Sequence, residues 1–191
     1  MSVTYISVDV ETAGPIPADY PMLALGACSV TDPDAGFYVE LQPDRPRTDA
    51  ESAAVSGLSP DRLSREGTPP AQAVADFAAW VDQVAAGTRP VMVALNAPFD
   101  WMFVADYLHR YVGHNPLGFS ALDLKALYMG IARVPWTETS LRRMAGRYGL
   151  SHELPHHALE DARLQAAVFR VMLAELEASR AQPPPLGVIA P

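Results

Sequence analysis

The chain has a single cysteine, Cys28, so no internal disulfide can form and a reducing cytoplasm is the expected setting. Cys28 sits in an apolar stretch with no partner base nearby and reads as a small core residue. No run of about 18 apolar residues occurs, which leaves no candidate membrane span. The first residues carry neither a basic start nor a small-residue cleavage site, so no secretory signal is expected. Positive charge is scarce: 14 Lys and Arg face 22 Asp and Glu, for a formal net charge of −8. Such a surface offers little long-range attraction for nucleic acid and argues against tight, salt-sensitive duplex binding. It does not exclude a nucleic-acid enzyme, because bound divalent cations supply positive charge at the site itself, and it favours short or single-stranded substrates. Internal repeats and an internal linker are also missing. The 191 residues, 49% of them apolar, fit one α/β domain over 1–180 followed by a proline-rich tail, 181–191.

What is present begins with Tyr5-Ile-Ser-Val-Asp-Val-Glu-Thr12. Its β-branched and aromatic residues read as a strand. Asp9 and Glu11 are two apart, so both side chains leave one face while Val8 and Val10 leave the other. Two adjacent carboxylates at the end of an apolar strand repel each other and lose hydration, and hard-oxygen coordination of Mg²⁺ or Mn²⁺ relieves both penalties. Taken alone, so short a pair better fits a strand end fraying into solvent.

The rest of the chain alternates apolar runs with breakers. Met22–Val30 and Phe37–Leu41 read as strands joined by a short turn, hence antiparallel. A short helix is expected at Ala50–Val55, with the remainder of 43–60 irregular. Thr68 is expected to cap a helix that carries Val74, Phe77, Trp80 or Val81, and Val84 at helical spacing. Pro90–Leu95 reads as a buried central strand, and Asn96-Ala-Pro-Phe-Asp100 opens a helix running to about Val112. Helices are expected at 121–129, 139–148 and 158–178. The pattern predicts a mixed sheet with helices on its faces, three strands antiparallel and the others parallel. Sites in such sheets gather where strands end and helices begin.

Three segments stand at such places: Asp9-Val-Glu-Thr12, Asn96-Ala-Pro-Phe-Asp100 and His156-His-Ala-Leu-Glu-Asp-Ala162. In order and separation they resemble the three motifs of the DEDDh 3′–5′ exonucleases, the family of ribonuclease T, oligoribonuclease and polymerase proofreading subunits. The resemblance covers roughly 3–173. It implies a ribonuclease-H-like α/β fold, with Asp9, Glu11, Asp100 and Asp161 as carboxylates of a site for two Mg²⁺ or Mn²⁺ ions and His156 as general base. It also implies a nucleic-acid substrate, DNA or RNA, with a free 3′ end, release of nucleoside 5′-monophosphates, and in some relatives a homodimer. Two positions depart from the family pattern: Ala24 stands where an acidic residue is frequent, and Leu95 where histidine is frequent before Asn96.

The chemistry accounts for these residue types. Phosphodiester hydrolysis needs a hydroxide near neutral pH and relief of charge on the leaving oxygen, and a pair of divalent ions serves both needs. An imidazole can take the proton from the attacking water. Spacing leaves two histidines open. His157 lies four residues before Asp161 and would share its helix face. His156, five before it, would diverge by roughly 140° and reaches the site only from a loop ahead of the helix. The resemblance selects His156. His109, His114, His152, Glu153 and Glu160 read as solvated, and Asp123 as a helix cap. Substrate contacts are expected from Thr12 to the terminal 3′ hydroxyl, from Asn96, and from Phe99, Trp101 or Phe103 stacking on a base, at least one of the three being core; the resemblance further implies Leu25, Met22 or Leu23 as a wedge between bases. Competing readings are a non-catalytic nucleic-acid-binding or scaffold module and a metal phosphodiesterase for small nucleotides.

Overall fold

A computed structural model of the protein describes residues 2–150 and 156–181. Five strands form one sheet: β1 (Val3–Thr12), β2 (Met22–Ser29), β3 (Gly36–Glu40), β4 (Arg89–Ala94) and β5 (Ala121–Asp123), in the order β3-β2-β1-β4-β5. The β1–β2 and β2–β3 pairs are antiparallel, and β1–β4 and β4–β5 are parallel. Among the described residues seven α-helices accompany it: α1 (Ala50–Ser56), α2 (Pro60–Glu66), α3 (Pro70–Ala85), α4 (Ala97–Tyr111), α5 (Leu124–Ala132), α6 (Leu141–Arg147) and α7 (Ala158–Ala181).

The alternation in β1 divides the two faces. Ile6, Val8 and Val10 join Leu25, Ala27 and Met92 in a core closed by α3 and α4 through Phe77, Val81, Phe103 and Tyr107. On the other face Cys28, Val30 and Val93 pack beneath α5, α6 and α7 against Leu124, Met144, Phe169 and Met172. Every residue of β2 is buried, as a strand covered on both sides requires. Asp9 and Glu11 therefore project toward α7, and Asp100 reaches the same strand end from α4. Tyr107 ties α4 to the other end of the loop after β1: its hydroxyl accepts from the Met22 amide at 2.8 Å and donates to Asp44 at 2.5 Å.

Four details differ from the sequence reading. Helix α2 begins at Pro60, where the stretch read as irregular ends, and fills residues to which the sequence reading gave no element; Ser59 caps it through a bond from the Arg62 amide. Thr68 is not a helix cap. Its backbone pairs with Leu41 in a parallel bridge, its amide donating to Glu40 and its carbonyl accepting from Gln42, so α3 begins after Pro69. Residues 121–123, read as helix, form β5, because their backbone completes the parallel ladder beside β4. Helix α6 begins at Leu141 rather than at 139, with Ser140 as its cap. His152 and Glu153 and the tail from Gln182 onward lie outside the described residues. Among the described residues no helix is long and apolar enough to cross a membrane.

Candidate active site

The site lies at the C-terminal ends of β1 and β4, where the first turns of α4 and α7 meet the sheet. A cleft of about 240 Å³ opens there, lined by Asp9, Glu11, Asp100, His156, Asp161 and Gln165, with Leu95, Asn96, Phe99 and Leu141 completing its wall. Carboxylate oxygens of Asp9, Glu11 and Asp161 all lie within 4.8 Å of one another. Asp100, 4% exposed, stands beside them with Oδ1 accepting from the Val10 amide at 3.1 Å. That amide lies beyond the last β1–β4 pair, Ser7 with Val93, so Asp100 takes over where the ladder stops.

A glycine permits this meeting. Asp9 pairs with Gly26 across the antiparallel ladder. The first turn of α7 lies directly over Gly26, where a Cβ would come within 2.2 Å of the Ala158 carbonyl carbon and the Leu159 nitrogen. Any larger residue would lift α7, and Asp161 with it, off the sheet.

Burial and mutual repulsion act together on the carboxylates. Asp9 is held well above the ordinary aspartate range, by desolvation first and then by the negative charges of Asp100, Glu11 and Asp161. Glu11 is pushed up to about 7 by desolvation and Asp161, against the pull of His156. Asp100 and Asp161 are raised, chiefly by desolvation. Asp161 Oδ1 is buried without a hydrogen-bond partner among the described residues. A convergent set of hard oxygen donors, whose charged forms burial and mutual repulsion disfavour until a cation offsets them, fits a divalent metal.

The two histidines part company. His156, in the left-handed region at φ 49°, precedes α7 and lines the cleft. His157 turns away and stacks on Tyr38 at 4.3 Å between ring centroids, while its carbonyl accepts from the Asp161 amide. The positive φ takes His156 off the helical path, so its angular divergence from Asp161 does not apply.

The expected substrate contacts divide as well. Phe99 and Asn96 line the cleft. Thr12 and Phe99 line an adjoining, larger cleft of about 540 Å³ with Tyr20, Asp49 and Glu51, although the Thr12 hydroxyl donates to the Gly14 carbonyl at 2.9 Å. Trp101 faces a separate hollow with Pro98 and Phe119. Leu25, Met22 and Leu23 are at most 1% exposed and offer no surface for a wedge between bases; all-round burial of β2 is the reason.

Sequence reasoning passed over Gln165. Its Nε2 donates to Asp9 Oδ1 at 2.7 Å and its Oε1 accepts from the Leu95 amide at 2.8 Å, tying α7 to the ends of β1 and β4. The signal was present, since residue 165 is four after Asp161 and shares its helix face. Asp123, expected as a cap, accepts from the Ala126 amide at 2.7 Å, and its second oxygen also holds the Ala97 amide at 2.7 Å, fixing the start of α4.

A family model described as exonuclease, of the ribonuclease T type, matches residues 6–169. Cap18 of Escherichia coli, a 3′–5′ DNA exonuclease, is 38% identical over 169 residues, covering 88% of this chain and 90% of its own. The chain belongs to the exonuclease family of the ribonuclease T type. The nuclease domain of 3′hExo, a DEDDh member solved with rAMP, superposes at a TM-score of 0.69 with 14% identity, covering 91% of this chain and 92% of that one. Exonuclease I of E. coli, solved with a dT13 oligonucleotide, gives 0.68 at 18% identity; the match covers 94% of this exonuclease and 42% of exonuclease I. The ribonuclease-H-like α/β fold is thereby shown, and the exonuclease is an enzyme rather than a scaffold module. Its acidic cluster is of the kind with which this family uses divalent metals.

Proposed function

We propose that the protein removes nucleotides one at a time from the 3′ end of single-stranded or short DNA, releasing nucleoside 5′-monophosphates. The observation that carries this is the convergence of Asp9, Glu11 and Asp161 beside Asp100 and His156. The relation to a DNA exonuclease over nearly its whole length supports DNA over RNA.

Asp9, Glu11 and Asp161 would hold two Mg²⁺ or Mn²⁺ ions, with Asp100 completing the anionic cup. Bound there, such ions supply Lewis acidity toward water and the scissile phosphate and relieve charge on the departing 3′ oxygen. Gln165 fixes the Asp9 carboxylate in one rotamer. His156, exposed at the cleft rim, takes the proton from the attacking water. Phe99 forms the wall on which the terminal base rests, and Asn96 lies within the same cleft. Incubation of 5′-labelled single-stranded DNA with Mn²⁺ should give a ladder shortening stepwise from the 3′ end. Cleavage confined to small diesters would favour a nucleotide phosphodiesterase instead.

Removing the His156 ring by His156→Ala should lower kcat by about 10²–10⁴-fold, the range for loss of a general base. His157→Ala, which unstacks Tyr38, should retain more than about a tenth of the activity. Steady-state rates of the two variants check the assignment, and the reverse order would transfer the role to His157.

The raised carboxylate pKa values fix the sign of a stability effect. A carboxylate whose folded pKa exceeds its unfolded one binds more protons in the native state, so stability falls as pH rises through the folded value. In EDTA the melting temperature should therefore decline between about pH 4.5, the usual range for Glu, and pH 7, where Glu11 titrates. With Mn²⁺ at about 100 times its Kd, mass action adds about 2.7 kcal/mol at the higher pH and offsets the decline. Thermal melts at pH 5 and pH 7.5, with and without Mn²⁺, test this; identical melts would count against a formed site.

A further inference from the structure

The exposed charge of this acidic chain is not evenly spread. The stretch from α5 to α6 carries Lys125, Arg133, Arg142, Arg143 and Arg147 against one acid, Glu138. Glu138 is already paired with Arg143, and Arg147 bonds Glu175 at 2.7 Å. Arg133 and Arg142 are exposed and have no ion pair among the described residues. Between the two helices the 3-10 turn Trp136–Glu138 holds up Trp136, whose side chain is 50% exposed with Lys125 Nζ 4.2 Å from its ring centroid. Helix α6 links this stretch to the cleft: Leu141 lines the cleft, and Arg142 is the next residue on the helix. The adjoining larger cleft has the other sign, since Asp49 and Glu51 line it together with Glu11.

We propose that the surface formed by α5, the 3-10 turn and α6 binds the single strand upstream of the nucleotide being removed, with Trp136 stacking on a base and Lys125, Arg133 and Arg142 meeting phosphates. The inference rests on the exonuclease reading and adds the path of the strand to it. Phosphates approaching over Asp49 and Glu51 are repelled, whereas those approaching over Arg142 are attracted, so the strand's polarity and its side of entry are set together. An exposed tryptophan flanked by cations is the combination that holds single strands without reading sequence. It also accounts for how a chain of net charge −8 retains a polyanion.

The test compares kcat/KM on a 5′-labelled single-stranded 12-mer with kcat/KM on the p-nitrophenyl ester of thymidine 5′-monophosphate, which is too short to reach this surface. In Trp136→Ala the ratio of the two should fall about tenfold, within the range for losing one stacked base. In Arg142→Ala, with Ca²⁺ replacing Mg²⁺ so that binding is read without turnover, the slope of log Kd against log salt should shrink by about 0.7, one phosphate contact on a single strand. Arg89→Ala, which removes the same charge from the start of β4, should leave the wild-type slope. A wild-type ratio in Trp136→Ala together with a wild-type slope in Arg142→Ala overturns the proposal, as does an equal slope change in Arg89→Ala. A wild-type enzyme that hydrolyses the ester but never shortens the 12-mer would instead sink the DNA exonuclease reading.

Discussion

Gly26→Ala should yield a folded protein with activity reduced by at least about 10²-fold, although residue 26 touches neither metal nor substrate. The new Cβ would stand 2.2 Å from backbone atoms of Ala158 and Leu159, far inside contact distance, and backbone cannot rotate aside as a flexible side chain can. Helix α7 must therefore shift by an ångström or so. Its buried flank, with Ala162, Ala166 and Phe169, can accommodate that at a cost of about 1–3 kcal/mol, typical of overpacking. The carboxylate cluster proposed to hold metal cannot. Asp161 rides on the first turn of α7, and Asp9 is the residue opposite Gly26 on β1, so the shift opens the cluster where it must stay closed. A displacement of about 1 Å is sufficient for a hundredfold loss. Far-ultraviolet circular dichroism together with exonuclease assays reads both parts. A Gly26→Ala enzyme of near wild-type activity would show that α7 does not approach β2 this closely.

The second large effect separates function from stability. Asp9→Asn should lower activity by on the order of 10³-fold, since it removes the proposed central metal ligand while keeping the shape of the side chain. The same change should raise the melting temperature in EDTA. Asp9 is the group on which desolvation and the charges of Asp100, Glu11 and Asp161 all bear, and a neutral amide escapes all of them. It still accepts the bond from Gln165 through its carbonyl oxygen. For a chain of this size each kcal/mol relieved shifts the melt by about 2–4 °C. Mn²⁺, expected to stabilise the wild type, should barely move the variant. An inactive variant that is also less stable in EDTA would mean that Asp9 holds the fold rather than a metal.

These two variants also mark what the sequence could and could not disclose. The alternation around Asp9 and Glu11 placed both carboxylates on one face, because a strand's period of two leaves no freedom. The breaks at Pro98 and before Ala158 put Asp100 and Asp161 at helix starts. Gly26 was visible as a glycine within a strand, yet nothing local reveals which element passes over it; that depends on tertiary packing. Strand β5 escaped notice because three residues are too few to show a period, and Ala121-Leu122-Asp123 is as acceptable at a helix start. Leu25 could be named as a base contact only while the covering of β2 by both helical layers was unknown. The choice of His156 over His157 turns on one backbone angle, the positive φ at His156, which spacing along an ideal helix cannot supply.

The most direct test is a crystal of the wild-type enzyme grown with Mn²⁺ and a deoxynucleoside 5′-monophosphate, with anomalous scattering used to locate the metal. The account predicts two manganese peaks about 4 Å apart among Asp9, Glu11 and Asp161, with the nucleotide's phosphate against them and His156 at its edge. Manganese found elsewhere, or none among these carboxylates at millimolar concentration, would contradict it.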